Sequence, residues 1–176
     1  MRDVVLMGRT AHLAPFASPS HADHEAAQDA LARLGLAHLA DSVYTQISGG
    51  ERQLTLLARA LAQAAPLMVM DEPTASLDFG NQVKVLERVG ELARAGIGVL
   101  LSTHDPDQAF LLAHRVALLH NGTLAALGPP QEVLIPAALH MLYGVDVSIS
   151  KVGDAFFGER PVSVPRIGTA GQRATM

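Results

Sequence analysis

Residues 47–78 read ISGGERQLTLLARALAQAAPLMVMDEPTASLD, and the succession of features within them decides the fold class. Ser48-Gly49-Gly50-Glu51 leads into a segment in which Leu54, Leu57, Ala58 and Leu61 recur at the spacing of one helix face. A glycine loop therefore feeds a helix N-terminus. Unpaired N–H groups and the positive end of the helix dipole favour an anion there, and the Ser48 hydroxyl can add a hydrogen bond to phosphate. The same residues also suit a plain N-cap. Pro66 is expected to stop the helix, after which Leu67 to Met70 predict a short buried strand that ends in two carboxylates, Asp71 and Glu72. In doubly wound α/β sheets ligands sit beyond the carboxyl ends of the strands, so these acids would face a site; a solvated acidic turn before Pro73 is the alternative.

Downstream, Val85, Leu86, Val89, Leu92 and Ala93 form an apolar helix face opposite Lys84, Glu87, Arg88, Glu91 and Arg94, and Gly96 closes the helix. Ile97 to Ser102 return as a second strand. The resulting β-α-β unit requires parallel strands, which puts Glu72 and His104 at the same sheet edge. Asp107 to Ala113 predict a short helix, Asn121-Gly122 a hairpin between Arg115–His120 and Thr123–Leu127, residues 130–143 a helix and 145–152 a strand. From Glu159 to Met176 periodicity is lost and a disordered tail is expected.

Upstream, residues 3–9 are a short apolar segment and 12–20 a loop, from which Ser20 caps a helix with Ala27, Ala30, Leu31 and Leu34 on its inner face and Gly35 at its end. His21 and His24 could share one helical turn, but no third ligand accompanies them, so a solvated helix start is expected.

The 176 residues are 49% hydrophobic, enough for one domain with a core. The chain has no cysteine, so neither a disulfide framework nor a Cys-based metal or redox site is available. A net charge of −4, dispersed Lys and Arg, and few aromatic residues give no support to nucleic-acid binding. No apolar window is long enough to span a bilayer, and the N-terminus lacks the pattern of a secretory signal.

Taken together, Ser48-Gly49-Gly50-Glu51, the strand Leu67 to Asp71 with Glu72, Ala75-Ser76-Leu77-Asp78 and His104 resemble the signature motif, Walker B strand, D-loop and switch histidine of an ABC transporter ATP-binding subunit. The resemblance implies an incomplete P-loop NTPase-type α/β domain with a helical subdomain and a mainly parallel sheet, spanning residues 1–158. Residues 3–45 would form the helical subdomain and 46–158 the rest of the catalytic core. It implies that Glu72 positions the attacking water, that Asp71 holds Mg²⁺ and that His104 contacts the γ-phosphate of ATP. Ser48, Gly49, Gly50, Glu51 and Asp78 would bind nucleotide. Phosphoryl transfer needs positioning and charge neutralisation, and these are suitable parts for it.

The runs DEPTASLDFGNQ (71–82), HDPDQAF (104–110) and DVVLMGR (3–9) are similar to ATPases of iron-siderophore, haem and cobalamin importers; Ile47 and Leu54 depart from the family, where Leu and Arg are usual. The partners so implied are a second ATP-binding subunit and a transmembrane permease, at the inner face of the cell membrane. The chain contains no G-x-x-x-x-G-K-[ST] loop, so it is expected to begin within a domain, to lack ATPase activity alone and to be poorly soluble in isolation because an apolar sheet edge is left uncovered. A non-catalytic module that pairs with a complete ATPase, and a soluble Mg²⁺-dependent hydrolase, are the competing readings.

Overall fold

Ser20 and Ser48 start the two helices on which the N-terminal half is built, and each does so with a reciprocal capping box. The computed structural model describes residues 1–154 and 158–167. It divides into two compact units, Met1–Ser102 and Thr103–Met176.

In the first unit, α1 (Arg2–Leu6) and a 3₁₀ turn (Met7–His12) precede α2 (His21–Arg33) and α3 (Gly49–Ala62). The expected loop and Ser20 cap are present. The Asp23 carboxylate accepts from the Ser20 N–H (2.9 Å) and hydroxyl (2.6 Å), and Ser20 Oγ accepts from the Asp23 N–H. Ala27, Ala30, Leu31 and Leu34 are buried as the periodicity requires. Gly35, at φ +76°, lets the Leu36 N–H reach the Leu31 carbonyl and closes the helix.

Helices α1, α2 and α3 pack on one another. A side chain at Gly8 would place its Cβ 2.1 Å from the Arg59 carbonyl oxygen, so only glycine lets the 3₁₀ turn approach α3 so closely. Beside it, Arg9 donates from Nε to Asp23 Oδ1 (2.9 Å) and from Nη1 to the Ala62 carbonyl (2.9 Å), joining the start of α2 to the end of α3. A cation at the C-terminal carbonyls of α3 also suits its dipole.

β1 (Leu67–Asp71), α4 (Phe79–Arg94) and β2 (Gly98–Ser102) form the expected β-α-β unit. The strands are parallel, from Leu67↔Gly98 to Asp71↔Ser102. α3 stops before Pro66, at Ala62, with Ala64 in a left-handed backbone of φ 56°. The expectation of a buried strand is corrected. Met68 is buried, but Leu67 (53% exposed), Val69 (67%) and Leu100 (57%) face outward. Side chains alternate across a strand, and the described residues of this unit cover one face only.

The second unit holds α5 (Pro106–Leu112), β3 (Val116–His120), β4 (Thr123–Gly128), α6 (Pro130–Val133), α7 (Pro136–Tyr143), β5 (Val147–Asp154) and β6 (Gly158–Pro165). Asn121 and Gly122, at φ 48° and 74°, make the β3–β4 turn, as positive φ at both central residues requires. Leu118, Val133, Leu134 and Leu139 form the core, with Phe110, Leu142, Val147 and Ile149 against it. The single helix expected over 130–143 is two, because Pro136 forces Ile135 into an extended conformation (φ −90°, ψ 159°). The expected disordered tail is also corrected at its start. Residues 159–165 lie in β6, paired antiparallel with β5 from Val147↔Pro165 to Asp154↔Gly158. The prolines that suggested a tail fit a two-stranded ribbon, both strands of which are edges. Residues 168–176 lie outside the described residues. The α/β class stands, and parallel pairing among the described residues is confined to β1 and β2.

Asp23 generates a pH prediction. Its carboxyl is lowered from 3.8 to about 2, first by the Ser20 hydroxyl, then by the Ser20 N–H and Arg9. The unfolded chain therefore takes up the proton first, so the contribution is fully present above pH 3.8 and vanishes as the pH falls to about 2. Urea midpoints followed by circular dichroism across that window should fall more steeply for the native sequence than for Asp23→Asn.

Candidate functional site

At the start of α3 the Ser48 hydroxyl accepts from the Glu51 N–H (3.3 Å), while Glu51 Oε2 accepts from the Ser48 N–H (2.8 Å) and hydroxyl (2.7 Å). The Ser48 hydroxyl, then its N–H, lower the Glu51 pKa. Gly49 and Gly50 form the first turn, directly beside the segment that follows β1. A Cβ on Gly49 would lie 3.7 Å from Leu77, and one on Gly50 only 2.5 Å from Asn81 Oδ1. Asn81 is in turn held by Asp78. The Asp78 carboxylate caps α4 by accepting the Asn81 N–H (2.9 Å) on one oxygen and its side-chain amide (2.7 Å) on the other. The Asn81 N–H, then its amide, lower the Asp78 pKa. Gln82 donates to the Leu77 carbonyl (3.0 Å) and the Thr74 carbonyl (3.3 Å), shaping the same segment. Ser48, Gly49, Gly50, Glu51 and Asp78 are thus brought together. Asn81 and Gln82 were not singled out in the sequence, although Asp78-x-x-Asn81 is itself a cap pattern.

At the ends of β1 and β2, Asp71 stands in register with Ser102. The Ser102 hydroxyl donates to Asp71 Oδ1 and accepts the Glu72 N–H at 3.0 Å. Glu72 sits at φ 40°, a left-handed conformation uncommon for a residue with a Cβ. Non-glycine residues held there cost roughly 1–3 kcal/mol and cluster at functional sites. Ser102 is a further residue that motif reading passed over; its register opposite Asp71 was the available signal.

His104 belongs to the second unit and follows Ser102 by two positions. Its loop is shaped by Thr103, whose hydroxyl accepts the Asp105 N–H (3.0 Å) and donates to Gln108 (3.1 Å), and by Asp105, which caps α5 through the Asp107 N–H (2.9 Å). The Tyr143 hydroxyl donates to the His104 carbonyl at 2.9 Å. His21 lies 3.4 Å from Glu25, and no cluster of three or more metal-ligating side chains occurs among the described residues.

The family profile described as ABC transporter matches residues 3–75, which hold the Ser48 cap, β1 and Glu72. An ABC transporter ATP-binding protein of Haemophilus influenzae is 50% identical over 119 residues, 68% of this chain and 45% of that protein. The hemin import ATP-binding protein HmuV of Streptomyces coelicolor is 44% identical over 151 residues, 85% of this chain and 52% of its own length. A solved chain described as from an inward-facing, metal-chelate type ABC transporter superposes with a TM-score of 0.89 at 35% identity, over 94% of this chain and 66% of that one. The chain belongs to the ABC transporter ATP-binding family. It spans about half the length of these curated relatives (45% and 52%).

In an ABC ATP-binding chain the Asp71–Ser102 pair has the right chemistry for Mg²⁺. Carboxylate and hydroxyl are hard oxygen donors, and Mg²⁺ is usually held by one or two carboxylates, waters and substrate phosphates rather than by an all-protein cage.

Two predictions follow from these contacts. Gly50→Ala should destabilise the ABC chain by about 1–3 kcal/mol through its collision with Asn81. Combined with Asn81→Gly, which removes the colliding amide and also the Cβ that lies 3.0 Å away, the same change should become neutral or favourable, since Ala exceeds Gly as a helix former by up to about 1 kcal/mol. Denaturant titration of both single variants and the double variant measures the reversal. At position 72, Glu72→Gly should be more stable than Glu72→Ala by about 1 kcal/mol, because both lack the carboxylate but only Ala retains the left-handed strain. Equal urea midpoints would remove the case for strain.

Proposed function

We propose that this chain is part of the ATP-binding subunit of an importer for iron chelates or related metal complexes, and that its residues take part in ATP hydrolysis. The observation that carries the reading is the edge at which Asp71 meets Ser102, with Glu72 held beside it in a left-handed backbone. In this reading Glu72 accepts a proton from the attacking water and orients it, while His104 donates to the γ-phosphate. Asp71 holds Mg²⁺, which when bound neutralises charge on the phosphates. Ser48 and the N-terminus of α3 offer donors to the nucleotide of a second ATP-binding subunit. That role requires the Ser48 hydroxyl to turn from Glu51, its acceptor here at 2.7 Å.

The substrate class is supported by relatives that carry the names of hemin and cobalamin import proteins. A permease would meet the α1–α2 part of the chain. Phe16, fully exposed with φ 65°, and Met7, 61% exposed, offer apolar contacts there. No helix among the described residues is long and apolar enough to cross a membrane. In the proposed assembly, as the resemblance to ABC importer ATPases implies, the chain sits peripherally at the cytoplasmic face of the permease.

A phosphate loop must be supplied for this chemistry. Three or four charged hydrogen bonds contribute roughly 5–10 kcal/mol. Micromolar to millimolar affinity amounts to only about 4–8 kcal/mol, so the 176 residues alone should not hold ATP measurably. The test is Mg²⁺-dependent ATP hydrolysis by the chain alone and by the chain joined behind a Walker A-bearing N-terminal segment of a relative. The first should be inactive. The second should hydrolyse ATP and lose about 100-fold or more with Glu72→Gln. Full activity in that variant would overturn the role of Glu72. Activity appearing only on mixing with a complete ATP-binding subunit, sensitive to Ser48→Arg but not to Glu72→Gln, would favour a non-catalytic pairing module.

A further inference from the structure

The His104 carbonyl precedes α5, at an exposed residue, and lies outside the hydrogen-bonding ladder of that helix, so any protein partner that holds it comes from elsewhere in the chain. A helix of seven residues does not fix its own approach loop. Two bonds reach this loop and the first turn of α5 from far along the chain. Tyr143, the last residue of α7, donates its hydroxyl proton to the His104 carbonyl at 2.9 Å. On the other side, the backbone N–H of Ser163 in β6 donates to Asp107 Oδ1 at 2.6 Å.

Both tethers rise from one foundation. Leu139 of α7 is fully buried, and Val147 and Ile149 of β5, the partner strand of β6, pack against the same core. Gly144, left-handed at φ 68°, ends α7 immediately after Tyr143 and returns its N–H to the His140 carbonyl at 2.8 Å, which fixes where the tyrosine ring stands. Burial, then the charge of Asp105, raises the Tyr143 phenol above its ordinary 10.0, so the donor keeps its proton throughout the neutral range.

We propose that Tyr143 is a positioning residue for His104, and that α7 and the β5–β6 ribbon together form a clamp that sets the orientation of the histidine loop. The inference rests on the role proposed above for His104. Its consequence is that anything moving the ribbon, such as a partner docking on it, is transmitted to the γ-phosphate donor without contact with nucleotide.

The test uses the full chain without nucleotide. Tyr143→Phe removes one oxygen and leaves the packing ring. Amide exchange at Asp105 and Asp107 should accelerate about fivefold, the loss of one ordinary hydrogen bond. The His104 imidazole resonances should shift, while those of His114 and His120 stay in place. Ser163→Pro removes the second donor and should accelerate Asp107 independently, with the double variant showing both effects. Unchanged His104 resonances and unchanged exchange in Tyr143→Phe would overturn the clamp, as would acceleration spread equally through β3 and β4. Because these readouts need no hydrolysis, an inactive hybrid chain counts against the proposed function alone. In an active hybrid, Tyr143→Phe should lower kcat about tenfold with KM for ATP within about twofold, as expected for lost orientation; an unchanged kcat would overturn the positioning role.

Discussion

A helix begins with N–H groups that no residue within it can satisfy, and the way this chain meets that constraint shapes most of what it presents. Ser20 with Asp23, Ser48 with Glu51, Asp78 with Asn81 and Asp105 with Asp107 each close the first turn of a helix. Three of these four caps lie at or beside motif residues of the ABC family. The groups that would meet a nucleotide are therefore the ones already carrying structural hydrogen bonds. An anion arriving at Ser48 would exchange one partner for another rather than fill a vacancy. This keeps the net gain modest, because an intramolecular bond replaced by a ligand bond contributes only the difference between them.

The caps also explain how separate motifs become one structure. Asp78 holds Asn81, and Asn81 fills the space that the missing side chain of Gly50 leaves open. Gly50 and Asp78 are thus related by packing within one unit, through Asn81. Arg9 plays a comparable part, pairing with Asp23 and with the last carbonyl of α3, so that two helix ends of opposite dipole share one guanidinium.

Much of this was legible in the residues. The Ser20 and Ser48 caps, the β-α-β unit, the Asn121-Gly122 turn and the carboxylates at the strand end all follow from local chemistry of types and spacings. What was not legible depended on tertiary partners or on one competing local rule. Pro136 broke an otherwise periodic helix by acting on the residue before it. Residues 159–165 pair with β5 although their own composition signals a tail, because a ribbon is stabilised by backbone bonds that composition does not report. Ser102, Asn81 and Tyr143 matter through what they touch, and a single sequence does not say which distant atoms meet. The strand Leu67–Asp71 was recognised, but its burial depends on neighbours on both faces.

The outward row of Leu67, Val69 and Leu100 has a cellular consequence. An apolar sheet face beside an open strand edge is the kind of surface that chaperones hold and proteases reach through local opening. Covering the row would take apolar side chains out of water at up to about 1.5–3 kcal/mol for each one fully buried, so whatever packs on Val69 draws stability from a surface this unit already presents.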